Sequence, residues 1–328
     1  MAAGKSQQNT QAGAVLDKAL AGDARALARL LSLVENESPQ VRLIIKDLLQ
    51  STGTARVIGL TGAPGVGKST VTGALVGAFR SLESGGYRVA VLAVDPSSPF
   101  SGGALLGDRI RMQAHATDDH VFIRSMANRG QLGGLAAATP QAIRVLDAAG
   151  FDLILVETVG VGQDEVDIAS LADSVLVLVA PGMGDAVQAA KAGILEVADL
   201  FVVNKADKPD SHQVVRDLRA MIALAERREG DWKPPIVTTV AVNGAGDDGI
   251  AELVTRLDAH WSWLNSTGEL RRRRHARARE EITALVFAAL RHRLAASNVD
   301  VLAGQVAEGA LNPFDAAEEL IAEHVRPR

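Results

Sequence analysis

Three glycines, a lysine and a hydroxyl residue stand close together at Gly62-Ala63-Pro64-Gly65-Val66-Gly67-Lys68-Ser69, with Thr70 directly after. The pattern G-x-x-x-x-G-K-[ST] suits one task, the holding of a polyphosphate. Glycines let successive backbone N–H groups close on phosphate oxygens. A helix starting here adds its unpaired amides and the positive end of its dipole. Lys68 is then expected to reach the β/γ phosphates, and Ser69 to offer its hydroxyl to Mg2+. A chance match in a turn before a helix is the plain alternative. The flanks oppose it: Val57-Ile58-Gly59-Leu60 reads as a buried strand and residues 69–82 as a helix.

Two further groups carry chemistry. Glu157-Thr158-Val159-Gly160 has the form of an acidic-x-x-Gly loop that senses a γ-phosphate; Asp95 directly follows another expected strand, and Asp108 lies in the loop 96–111 beyond it. With Ser69, the carboxylates of Asp95, Asp108 and Glu157 make a hard-oxygen set suited to Mg2+ held through waters. Lys68, Asp108 and Glu157 are the residues expected to act on the phosphate that is cleaved. Asn204-Lys205-Ala206-Asp207 matches N-K-x-D, in which an aspartate accepts from guanine N1–H and N2–H2 while Asn204 and the Lys205 stem frame the ring. Adenine lacks both donors, so a site of this kind rejects it by about 10⁴-fold. Farther on, Ala241, Val242 and Asn243 stand where backbone contacts to the guanine oxygen are expected. The nucleotide implied is GTP, cleaved to GDP.

These residues need a frame that gathers them. Strand and helix alternate through the middle of the chain, the signature of a doubly wound, mostly parallel α/β sheet. Strands are expected at 56–61, 87–94, 121–123, 152–157, 174–180, 200–204 and 236–242, and helices at 69–82, 140–149 and 213–225. Ligands in such sheets sit beyond the carboxyl ends of the strands. That rule separates Glu157 from Asp152, about 17 Å apart at opposite ends of one strand. Before the sheet, apolar residues from 15 to 34 recur at helical spacing, as one helix or two, and Ser38-Pro39 starts another through about 49. After about 251 the pattern is helical only. Ile282, Leu285, Val286, Ala289, Leu290 and Leu294 form an apolar stripe, and Asn312-Pro313 opens a last helix. The expected division is a helical extension over 1–54, a phosphate-loop domain over 55–260 and a C-terminal helical arm over 261–328.

Composition narrows the class. A hydrophobic content of 47% supports a full core, and an aromatic content of 3% makes it aliphatic. With no cysteine there are no disulfides and no thiolate metal sites. A net charge of −5 argues against a general nucleic-acid binder. The run Arg271–Arg274 with Arg277 and Arg279 is followed by Glu280-Glu281 and reads as a solvated or interfacial helical face. No apolar run approaches the ~20 residues of a membrane span. A cytoplasmic protein is expected, without membrane or nucleic-acid partners. The seven histidines show no zinc-type spacing.

GAPGVGKST, VDPSSPFSGGALLGDRIRM, FIRSMANRGQLGG, ETVGVGQDE and NKAD, in this order, closely resemble the MeaB/ArgK group of GTPases. The leader GDARALARLLSLVE is similar too, so the resemblance covers nearly the whole chain. It implies a SIMIBI-class GTPase, a homodimer formed through the C-terminal helical arm, and a partner, methylmalonyl-CoA mutase. Members of the group gate adenosylcobalamin loading onto that enzyme and protect it from inactivation. One departure bears on rate: Val161 follows Gly160 where Ras-like switches have a water-orienting glutamine, and Gln163 lies two residues beyond Val161. Slow hydrolysis by the chain alone is expected, with Arg109, Arg111, Arg129 and Lys191 as candidates to move in when a partner binds. A kinase or ATPase built on the same loop is the competing reading. A nickel-delivery GTPase would call for soft or imidazole ligands, which the chain does not cluster.

Overall fold

The computed structural model describes residues 13–36, 38, 41, 46, 48, 53–82, 85–96, 115, 117–128, 138–158, 164–182, 197–225, 228–294 and 298–324. The chain begins with a helical stretch at 13–20, then α1 (Ala24–Glu35), β1 (Arg56–Thr61), α2 (Lys68–Arg80), β2 (Val89–Pro96) and β3 (Val121–Asn128). It continues with α3 (Thr139–Ala148), β4 (Leu153–Thr158), α4 (Asp164–Leu171), β5 (Ser174–Val179) and β6 (Leu200–Asn204). Next are α5 (Ser211–Leu224), β7 (Ile236–Thr239), a 3-10 turn (Ala241–Gly246) and α6 (Asp248–Thr267). The last elements are α7 (Glu269–Leu294), α8 (Val299–Ala307) and α9 (Pro313–His324).

The seven strands among the described residues form one parallel sheet in the order β3-β2-β4-β1-β5-β6-β7. Every residue of β1, β4, β5 and β6 is buried, which is why these strands read as unbroken apolar runs. Alternate residues feed two cores. Leu30 and Leu31 of α1, Leu146, Ile168 and Leu218 cover one face; Leu75 and Phe79 of α2 with Leu253 and Leu257 of α6 cover the other. β1 lies between β4 and β5, so the crevice of the doubly wound sheet opens above its carboxyl end.

The N-terminal apolar pattern resolves into two helices. Gly22, at φ 93°, breaks it, and the Asp23 carboxylate caps α1 by accepting from the N–H groups of Arg25 (2.8 Å) and Ala26 (3.0 Å). The Ala26 and Arg25 amides hold that carboxyl below its ordinary pKa. Most of the helix expected from Ser38 lies outside the described residues. Strand β3 runs to Asn128, five residues beyond its expected end, because it pairs with β2 along its whole length. Strand β7 stops at Thr239 instead of 242, where the chain turns into the 3-10 segment.

At the amino ends of the strands, one device recurs. Asp152, Asp173 and Asp199 each stand just before a strand and accept an N–H at the amino end of a neighbouring strand: Arg88 (2.8 Å), Val57 (3.0 Å) and Val175 (2.9 Å). Two of these carboxylates also receive an arginine. Arg273 donates to both Asp199 oxygens (2.8 and 2.9 Å), and Arg274 to both Asp173 oxygens (3.2 and 2.9 Å). The arginine run is therefore not wholly a solvated face: two members turn inward and fasten the start of α7 to the sheet. His260, fully buried, shares a 2.8 Å hydrogen bond with Ser174, and its Nε2 lies 3.3 Å from Asp199. All three tryptophans gather here. Trp232 donates to the Asp199 carbonyl at 2.8 Å, Trp263 stacks on His260, and the Arg56 guanidinium lies 5.1 Å from the Trp261 ring.

The chain divides into two compact units, 1–274 and 275–328. In the second, Leu302 and Ala316 are buried, and Asn312 caps α9 by accepting from the N–H groups of Phe314 and Asp315, both at 2.9 Å. Ile282, Leu285, Val286 and Phe287 of α7 are all exposed. Among the described residues, no helix is long and apolar enough to cross a membrane.

Candidate functional site

The carboxyl end of β1 runs directly into the glycine loop. Gly62, Gly65 and Gly67 have φ of 141°, 82° and 95°, a region that side-chain-bearing residues rarely adopt. Two of them also lack room for a side chain: a Cβ at Gly62 would collide with the Leu178 carbonyl, and one at Gly67 with the Asn204 amide. Val66 is fully buried and pins the loop from below, whereas Pro64 and Gly65 face outward. Thr70 is half-buried in the first turn of α2. Lys68 folds over the loop, its ammonium donating to the carbonyls of Gly62 (2.7 Å) and Ala63 (3.2 Å).

Glu157 is the penultimate residue of β4, next to β1, and is 4% exposed. Ser69 donates to its Oε1 at 2.7 Å, and Thr72 lies 2.9 Å from its Oε2. Ser69 and Thr72 are three residues apart on α2 and so share the face that looks at the strand. A carboxylate beside a hydroxyl is a pair of hard oxygen donors. That is the chemistry Mg2+ selects when it takes one or two carboxylates and completes its shell with phosphate oxygens and waters. The residues present fit such an ion. Among the described residues, no group of three or more His, Asp or Glu side chains forms a metal cluster. Asp152 is at the far end of the same strand, as the carboxyl-end rule requires. Asp95 closes β2 on the side of the site, its side chain outside the described residues. Asp108, Gly160, Gln163, Arg109, Arg111, Arg129 and Lys191 also lie outside them.

Asn204, the last residue of β6, spans two parts of the site. Its Nδ2 donates to the Val66 carbonyl at 2.9 Å, and its Oδ1 accepts from the Thr239 hydroxyl (3.1 Å) and the Ala241 N–H (3.2 Å). The phosphate loop, the N-K-x-D segment and the 241–243 segment are thus tied through one buried amide. Lys205 stands at φ 57°, the only described residue other than glycine at positive φ, and its ammonium donates to the Gly65 carbonyl at 2.8 Å. The left-handed turn throws Asp207 outward, where its side chain is half exposed with Lys208 3.9 Å away. Val242 is exposed and Asn243 bonds back to Val240 at 2.9 Å. The site residues that spacing did not single out are Thr72 and Thr239. The signal for Thr72 was its place one turn after Ser69; Thr239 carried none.

A family model described as methylmalonyl Co-A mutase-associated GTPase MeaB matches residues 27–299. A Pyrococcus abyssi protein carrying a GTPase name is 45% identical over 94% of this chain and 95% of its own. A mouse protein named as a mitochondrial methylmalonic aciduria type A homolog is 32% identical over 92% of this chain and 76% of its own. A crystal structure described as a LAO/AO transport system kinase superposes with a TM-score of 0.70. It covers 97% of this chain and 98% of its own, at 25% identity.

Proposed function

We propose, because the chain belongs to the MeaB family of methylmalonyl-CoA mutase-associated GTPases, that it is a GTP-driven chaperone of that mutase. It binds guanine nucleotide and hydrolyses GTP. In this reading it gates adenosylcobalamin loading and protects the mutase from inactivation, as a cytoplasmic homodimer. The observation that carries the nucleotide part is the Asn204 amide, which fixes the phosphate loop against the guanine-reading segments.

The roles follow from position. A polyphosphate in the loop takes the Lys68 ammonium in place of the Gly62 and Ala63 carbonyls, and backbone N–H groups of the loop, Pro64 having none to give, close on its oxygens. Ser69 and Glu157, with Asp95 and Asp108 through waters, would hold Mg2+, which would supply charge neutralisation to the phosphates. Asp207 reads guanine, with the backbone of Ala241, Val242 and Asn243 at the exocyclic oxygen. The division 1–54, 55–260 and 261–328 belongs to the same proposal, with the exposed apolar stripe of α7 as the surface a second copy covers. The test is phosphate release by the purified chain with and without purified mutase. Stimulation of at least about tenfold is expected, a floor set under the ~10³–10⁵ of partner-supplied groups. Equal rates refute the coupling.

A second reading rests on the crystal structure described as a kinase. It requires transfer of the γ-phosphate to a protein or metabolite, and labelled GTP that yields only inorganic phosphate rejects it.

A further inference from the structure

The structure assigns to Thr72 a positioning role: it fixes the rotation of the Glu157 carboxylate against the metal and phosphate side of the site. The inference rests on the reading of Ser69 and Glu157 just proposed, and it concerns a residue outside the phosphate-loop motif.

The terminal torsion of a glutamate is broad and roughly two-fold, so a carboxylate held at one oxygen can still swing. Ser69 donates to Oε1 at 2.7 Å and Thr72 lies 2.9 Å from Oε2, so contacts at both oxygens narrow that freedom. The Thr72 hydroxyl has one proton and two acceptors within reach, the other being the Lys68 carbonyl at 3.0 Å. Bonding back to the carbonyl four residues earlier is the commonplace role of a helical threonine. A charge-assisted bond to a carboxylate is the stronger of the two. Thr72 is fully buried, so water does not stand in for the hydroxyl. It lies one turn past Ser69, ~5 Å farther along the helix axis, and acts through Glu157 instead of touching the nucleotide.

Two readouts test this, one of them independent of turnover. The first is the gain in GDP affinity on adding Mg2+, measured as the ratio of Kd in EDTA to Kd in excess Mg2+. The second is steady-state GTP hydrolysis. Thr72→Val keeps the branched shape and removes the proton. It is expected to cut the Mg2+-linked gain about tenfold and to lower kcat by a similar factor, the scale of one hydrogen bond to a charged group. GDP affinity in EDTA and KM for GTP should stay within about twofold, and Thr72→Ser should restore both quantities. Glu157→Gln is the reference: it should abolish the Mg2+-linked gain. If Glu157→Gln does so and Thr72→Val leaves the gain at the wild-type value, the inference about Thr72 is overturned while Glu157 stands. If Glu157→Gln also changes nothing, the reading of the metal side fails at its root. Thr72→Ala, which adds no bulk, is measured alongside; failure of both valine and alanine variants to fold would make Thr72 a purely structural residue and likewise overturn the inference.

Discussion

Removing Arg273 should destabilise the nucleotide-binding unit in a way that depends on pH. Asp199 is 6% exposed at its side chain, and in Arg273→Ala it loses two N–H donors at 2.8 and 2.9 Å. What remains is the Val175 N–H and the nearby His260 ring. Breaking a buried ion pair costs about 3–5 kcal/mol. Arg273 is 29% exposed, so water enters when it is cut back, and the expected loss falls to ~2–3 kcal/mol. At ~2–4 °C per kcal/mol for a domain of this size, the Tm should drop by about 4–12 °C. The pH dependence follows from the sign of the shift. Burial pushes the Asp199 carboxyl up, but His260 and Arg273 together outweigh it and hold the group below the usual carboxylate range. A depressed pKa gives stability that is present above the unfolded value of ~3.9 and lost as pH falls through the folded one. In the variant, burial acts with less opposition, so Asp199 protonates at higher pH and sheds part of its penalty. The gap between wild type and variant should thus be widest near neutrality and close on acidification. Thermal and urea unfolding between about pH 2.5 and 7, a range that spans the unfolded value and the region below it, measure it. A loss under about 1 kcal/mol, or a gap flat with pH, would refute the reasoning.

Asp207→Asn should weaken GTP binding and favour xanthosine nucleotides, whose carbon-2 oxygen accepts from the amide; titration of both checks it, and unchanged GTP affinity removes Asp207 from the site. Glu157→Ala should retain nucleotide binding through Lys68 and the loop amides yet lose most mutase-stimulated phosphate release. Deleting 266–328 removes Arg273 and Arg274 with the arm, so that truncation should unfold at much lower temperature than one ending at 280, which keeps both pairs. The chain ending at 280 should bind GTP and sediment as a monomer; a dimer there would place the contact outside the α7 stripe.

All seven strands were legible because sheet-centre strands are apolar on both faces and the intervening helices carry their own periodicity. The phosphate loop and the N-K-x-D string stood out because each is a contiguous run of fixed spacing, and Asn204 ties the two in the structure. The pairing of Arg273 and Arg274 was not, since Asp173 and Asp199 are about 100 and 74 residues away in the chain. A faint signal existed: Ala172-Asp173-Ser174 and Ala198-Asp199-Leu200 both place an aspartate just before a buried strand. The early end of β7 was missed for a different reason. Val240, Ala241 and Val242 have strand-like composition, but Asn204 and Asp247 take up the N–H groups of Ala241 and Val240 and bend the chain.

The packing of Trp232 and Trp263 on His260, with Trp261 beside the Arg56 and Arg274 guanidiniums, gives the molecule an optical property of its own. Intrinsic fluorescence excited at the red edge comes only from that end of the sheet, since the chain has no other tryptophan. The glycine loop begins after the six residues of β1, about 20 Å away. Emission therefore reports the fastening of α7 and is spectroscopically remote from bound nucleotide. A change in emission on adding GTP would mean that the strands had carried a displacement from their carboxyl ends to their amino ends, and its absence would mean that the two ends of the sheet move independently.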